Sequence, residues 1–186
     1  MNEDIEAAIK VLSKGGTILY PTDTIWGIGC DATNEQAVQH IYELKKNEEK
    51  EGMLVLLDSP GRLDQYVEIP EIAWELIKKA DSPLTIIYPG ARSLAGNLFA
   101  SDNSVGIRIV NDNFCKNLIR KFKKPVVSTS ANISGDPNPE IFAGIRKEII
   151  DSVDYVVKWR QDDMTRARPS GIIKLGLHGE VTIIRE

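Results

Sequence analysis

Thr17-Ile18-Leu19-Tyr20-Pro21-Thr22-Asp23-Thr24-Ile25-Trp26-Gly27-Ile28-Gly29-Cys30-Asp31 is the stretch on which the reading of this chain turns. A short apolar strand, Thr17 to Tyr20, runs into Pro21, which cannot donate a hydrogen bond and so ends the ladder. Small polar side chains follow, then a tryptophan and two glycines. Hydroxyls and backbone amides at a strand end suit a pocket floor, with Gly27 and Gly29 letting a ligand approach closely. The competing reading is a strand–turn–strand with surface threonines, which would prevail if the stretch stood alone.

The rest of the chain bounds the problem. Its 186 residues suffice for one domain with a substantial core. Hydrophobic residues make up 42% and charged residues 27%, the balance of an ordinary globular protein. No apolar run approaches the ~20 residues that span a bilayer, and the acidic Met1-Asn2-Glu3-Asp4 is unlike a signal peptide. Cys30 and Cys115 lack zinc-site spacing and fit buried thiols of a reduced, cytoplasmic protein. The net charge of −4 gives no general attraction for nucleic acid, so an anionic ligand must meet a local cluster of cations.

Outward from the opening strand, residues 3–14 carry Ile5, Ala8, Ile9 and Leu12 on one helical face, ended by Gly15-Gly16. Thr33, with Gln36 three residues on, reads as the cap of a helix reaching about Lys46. A charged run from Lys45 leads through Gly52 into a strand, Met53 to Leu57. Pro60 to Tyr66 is a short helix and Pro70 to Lys79 a longer one burying Ile72, Ala73, Leu76 and Ile77. Strands follow at Leu84 to Tyr88, Val105 to Val110 and Pro125 to Val127, with a helix marked by Phe114, Leu118 and Ile119. Ser128 to Asn138 reads as a loop. Ile141 to Ile150 is helical, Tyr155 to Lys158 a strand, and Gly171 to Leu175 with Val181 to Ile184 a closing hairpin. Strands and helices interleave without strict alternation, which predicts a single-domain α/β fold with one twisted, open, mixed sheet over residues 1–186.

Familiar catalytic motifs are missing. Gly27 to Ala32 matches G-x-G-x-x-A, but the clear strand ends too early and the helix starts too late for a dinucleotide fold. No P-loop and no G-x-S-x-G exist, and His40 and His178 sit in a helix and a hairpin turn. What remains is a scatter of cations and small polar groups. Arg108 interrupts an apolar strand and needs a partner, either a ligand or an ion pair on an exposed face. Lys45, Lys46 and Lys50 suit a solvated helix end, and Ser128, Thr129, Ser130 and Asn132 suit turn chemistry.

Taken together these segments resemble the YrdC domain family of threonylcarbamoyl-AMP synthases. The resemblance rests on Tyr20-Pro21-Thr22-Asp23-Thr24 with Trp26 to Asp31, on Lys45 with Gly52, and on Ser82-Pro83-Leu84-Thr85. Val105-Gly106-Ile107-Arg108, Pro125 to Gly135 and Pro169-Ser170 complete it in order along the chain. It implies a twisted open sheet with a concave basic surface. The implied reaction joins L-threonine, bicarbonate and ATP, with Mg²⁺, into threonylcarbamoyl-AMP and pyrophosphate. A downstream tRNA-modification complex then transfers the group to adenosine 37 of tRNA.

By resemblance, Thr22, Thr24, Arg108, Ser128 and Ser170 hold threonine. Lys45, Asn47, Thr85, Ser130 and Asn132 hold the nucleotide, and Lys45 and Arg108 carry the catalytic charge. The carbamate oxygen is itself the nucleophile, which agrees with the missing Ser–His couple. Here Asn47 stands where the family has arginine, Asp81-Ser82-Pro83 replaces Pro-Gly-Pro, and Pro169-Ser170-Gly171 replaces Pro-Ser-Thr. An arginine-to-amide change at a phosphate contact costs ~1.5–3 kcal/mol. That departure supports an alternative, a non-catalytic RNA-binding or regulatory relative. A third reading is a related enzyme using another amino acid.

Overall fold

The structure, a computed structural model, describes residues 1–47 and 53–186. Lys50 and Gly52, and most of the charged run around them, lie outside the described residues. The elements are α1 (Asn2–Leu12), β1 (Ile18–Tyr20), β2 (Gly27–Gly29), α2 (Glu35–Leu44), β3 (Leu54–Leu57), α3 (Ile72–Lys79) and β4 (Leu84–Tyr88). They continue with β5 (Val105–Ile109), α4 (Asn113–Phe122), β6 (Val126–Ser130), α5 (Lys147–Ser152), β7 (Tyr155–Val156), β8 (Gly171–Leu175) and β9 (Val181–Arg185). Pro60–Gln65 is a 3-10 turn.

The described residues build one mixed sheet, in the order β7-β1-β2-β6-β3-β5-β4-β8-β9. Register decides which side chains share a face. Ser128 pairs with Leu54, while Arg108 pairs with Thr85 and Thr85 in turn with Ile172. Those residues line the open face of the sheet. Ile86, Tyr88 and Ile107 alternate with them and are buried on the opposite, helix-bearing face. There α1 packs on α4, and α4 lies against β3. Burying this apolar set is the dominant favourable term in holding the two layers together.

Several expectations give way to tertiary context. Thr33 does not cap α2, because its hydroxyl is spent on Asp31 Oδ1 at 2.6 Å. Asn34 caps instead, its Oδ1 accepting from the N–H groups of Gln36 and Ala37. Ser128 to Ser130 is strand and not loop, since β2 and β3 supply hydrogen-bonding partners on both sides. The continuous helix over 141–150 is broken into a 3-10 turn, Phe142–Gly144, and α5. Ile145 is extended between them, and it is buried as its spacing with Phe142 and Ile149 predicts. In α3 only Ala73 is buried; Ile72, Leu76 and Ile77 are half-covered.

Of the two glycines in the opening stretch, Gly27 lines the cavity described below, while Gly29 differs from expectation. A Cβ on Gly29 would meet Val127 O at 2.5 Å and the Tyr20 ring at 2.7 Å. That glycine admits the neighbouring strand, not a ligand. The backbone is thus the strand–turn–strand of the competing reading, with β1 and β2 antiparallel. The threonines of its turn are nevertheless buried.

Candidate functional site

The turn between β1 and β2 is folded around Thr22. Its Oγ1 donates to Ile25 O at 2.8 Å and accepts from Thr24 N at 3.0 Å. Having spent its one proton, it must accept again where it meets Thr24 Oγ1 at 3.0 Å. Thr24 is then the donor, and its remaining lone pairs are left to receive an N–H from a ligand. Arg108 Nη2 reaches the same Thr22 oxygen at 3.4 Å and Asp23 Oδ1 at 3.1 Å. Asp23 is fixed in turn, its Oδ2 accepting from Asn111 N at 3.1 Å.

Arg108 is only 3% exposed, so the ion pair lies inside the protein and not on the exposed strand face that its sequence context allowed. Arg108 Nε is buried and has no protein acceptor. A buried guanidinium with spare donors is suited to a planar anion.

A cavity of about 250 Å³ opens in front of this cluster. Its lining includes Thr24, Arg108, Ser128, Ser130 and Ser170, five residues from four separated segments that the sequence singled out. The sequence reading missed Asn138 and Arg185, which also line it. Arg185 ends β9, one residue beyond the strand predicted there, and carries no local signal. Its Nε donates to Ser170 O at 2.9 Å. Burial, and then the charge of Arg108, push the Arg185 guanidinium below its ordinary proton affinity. Two like charges face one hollow whose described lining contains no carboxylate.

The other candidates stand around this cavity, not in its lining. Thr22 lies beneath Thr24. Thr85 meets Ser170 through their hydroxyls at 2.8 Å and lines an adjoining cavity of about 690 Å³. That second cavity shares Leu54 and Ile172 with the first and adds Tyr42, Met53 and Phe99. Lys45 is buried, its ammonium donating to Ser130 O at 2.6 Å and Asn132 O at 2.5 Å. It braces the wall from behind, and burial pushes its pKa down to about 8. Asn132 gives its amide protons to Ile133 O and Asp136 O, which folds the loop after β6. Asn47 follows α2, its backbone N–H on Tyr42 O.

Cys30 and Cys115 are buried, while His40 and His178 are exposed and away from the cavity. Among the described residues no cluster of His, Cys, Asp or Glu could hold a metal ion, and no helix is long and apolar enough to cross a membrane.

The fold is a mixed α/β sheet whose open face gathers hydroxyls and two guanidiniums around a hollow with no carboxylate among its described lining, an arrangement suited to anionic small molecules. The family model described as Telomere recombination, for Sua5, YciO and YrdC proteins, matches residues 10–186. The chain belongs to that family. A threonylcarbamoyl-AMP synthase of Pseudoalteromonas translucida is 33% identical over 159 residues, 82% of this chain and 84% of the relative. Among solved structures, E. coli YciO superposes with a TM-score of 0.85 at 20% identity, over 100% of this chain and 90% of that one. P. abyssi Sua5 complexed with L-threonine gives 0.80 at 26% identity over 92% of this chain. The chain spans about half the length of that Sua5, 50%.

Proposed function

We propose that this protein makes threonylcarbamoyl-AMP and pyrophosphate from L-threonine, bicarbonate and ATP. The observation that carries the reading is the pairing of Thr24 with two cations, the buried Arg108 and the exposed Arg185, in one half-open hollow. Threonine's amine adds to the bicarbonate carbon, a C–O bond breaks and water leaves, and the carbamate nitrogen donates its remaining N–H to Thr24 Oγ1 while Arg108 meets a carboxylate. A carbamate oxygen then attacks the α-phosphorus, the bond to the β-phosphate oxygen breaks, and pyrophosphate leaves. No side chain needs to act as a nucleophile. Positioning and fixed charge do the work, because Arg108 and Arg185 oppose the negative charge spread over the reacting groups.

Ser128, Ser130 and Asn138 face the phosphates, and Lys45 holds the Ser130 to Asn132 backbone in shape for them. The adjoining cavity, with its apolar and aromatic lining, has room for the adenosine. Free carbamates lose CO₂ in water, so a half-closed hollow suits the chemistry better than an open surface. Mg²⁺ would enter on the triphosphate. The lining offers it neutral oxygens only, which agrees with an ion held by phosphates and water.

Pyrophosphate release from ATP is expected to require both threonine and bicarbonate, measured on the purified protein. Release that ignores threonine would remove the proposal. The rival reading, an RNA-binding relative without this chemistry, rests on Asn47 in place of arginine. It predicts salt-sensitive tRNA binding and no heat on titration with ATP. The product is a mixed anhydride and needs an acceptor enzyme, consistent with a tRNA-modifying partner.

A further inference from the structure

The connection from β7 to β8, residues 157–170, has an unusual route. β7 lies at one end of the sheet and β8 next to the other end, with six strands between them. This one segment therefore passes all six, and its contacts with Thr22 and Glu140, together with Pro169 and Ser170 in the lining, run it along the rim of the hollow. Its two ends are buried, Val157 at 0% and Ser170 at 2% exposure. Its middle is open, with Met164 at 67% and the Arg166 side chain at 82%. The start is pinned by Val157 N on Leu19 O and Lys158 N on Asp4 Oδ1, both 2.9 Å. The far end is pinned through Ser170 to Thr85 and Arg185.

Between those anchors the described residues give it three polar attachments to the rest of the chain, all long. Arg160 Nη1 reaches Thr22 O at 3.3 Å, Ala167 N reaches Glu140 O at 3.3 Å, and Arg166 Nε reaches Glu140 Oε2 at 3.5 Å. The Arg166–Glu140 pair is solvent-exposed and worth little. The segment's own bonds are tighter and local, with Asp163 accepting from Arg160 and Thr165. Few, long outside contacts with tighter internal ones are what a segment needs to move as a unit on two buried pivots.

We propose that residues 158–169 form a strap that lifts from Glu140 and Thr22 to admit substrate and is held down when the hollow is filled. Arg160 provides the coupling. It sits on the carbonyl of Thr22, whose hydroxyl touches both Thr24 and Arg108. A ligand that orders Thr24 and Arg108 orders the strap's seat as well. The strap rests on the proposed function only for the identity of that ligand.

The test staples the strap shut. The bond from Ala167 N to Glu140 O brings those backbones close enough for a disulfide. Glu140→Cys with Ala167→Cys, oxidised, is expected to slow the association of ATP and threonine at least tenfold, with full recovery on reduction. Cys30 and Cys115 are buried and do not compete. The second readout is nicking by trypsin after Arg166, told apart by mass spectrometry from cuts after Lys158 and Arg160; Arg168 precedes Pro169 and resists cleavage. In the unliganded chain Glu140→Ala is expected to speed nicking about twofold without lowering the melting temperature. In the wild-type chain, saturating ATP with threonine is expected to slow it at least fivefold. Equal association rates for the stapled and reduced forms would overturn the strap. So would a nicking rate unmoved by Glu140→Ala. If calorimetry shows that the reduced form binds neither ligand, the proposed function fails instead, and nicking of the unliganded chain still decides the strap.

Discussion

The two walls of the hollow are built in opposite ways. On one side, Thr22, Asp23, Thr24 and Arg108 are all nine-tenths buried or more and bonded to one another at 3.0 to 3.4 Å. On the other, the strap over residues 158–169 runs along the rim on three long polar contacts, one of them an exposed ion pair. The buried wall is preformed, so it spends no ordering entropy when a ligand arrives. The strap is cheap to displace, so it does not oppose exchange. Recognition and access are thereby assigned to different parts of the chain, and substitutions on the two sides separate them.

The largest effect belongs to the buried pair. Asp23→Ala leaves Arg108 charged, buried and alone, and is expected to lower the unfolding free energy by ~3–5 kcal/mol. Urea denaturation measures it, and a loss below ~1 kcal/mol would mean that the wall is not held by this pair.

Lys45, behind the Ser130 to Asn132 side of the hollow, gives an intermediate and pH-dependent effect. Burial lowers its pKa from 10.5 to about 8. Between those values the unfolded chain binds more protons than the folded one, so stability gains from rising pH. Compared with Lys45→Met, the wild-type protein is expected to gain up to ~1.4 kcal/mol per pH unit across that window. A flat or falling difference would show that the ammonium is not desolvated.

The smallest effect is on the strap. Arg166→Ala removes a half-open contact and is expected to change stability by less than ~0.5 kcal/mol. A cost near that of Asp23→Ala would abolish the contrast between the walls.

Much of this was legible along the chain. The apolar strands at Leu84 to Tyr88 and Val105 to Ile109 appear as expected, because alternation and continuous apolar runs report burial directly. So does the closing hairpin. The errors fall where local chemistry and distant pairing disagree. Ser128 to Ser130 has turn-like composition, yet β2 and β3 recruit it as strand. Ile145 has helical spacing and is buried as that spacing predicts, yet its own backbone is extended between a 3-10 turn and α5. Arg185 was missed because nothing near it in sequence marks it; only the antiparallel return of β9 beside β8 brings it to Ser170.

By itself, the order of residues determined the alternation of strands and helices, the family, and the set of hydroxyls and cations from which a site could be made. Tertiary structure alone decided that Arg108 is paired and buried, that Lys45 supports the wall from behind, and that one connection follows the rim of the hollow. The physical reason is that a cation's role depends on which distant oxygen reaches it and how much water is left around it. Sheet pairing between strands as far apart as β1 and β7 settles both, and no local pattern encodes that.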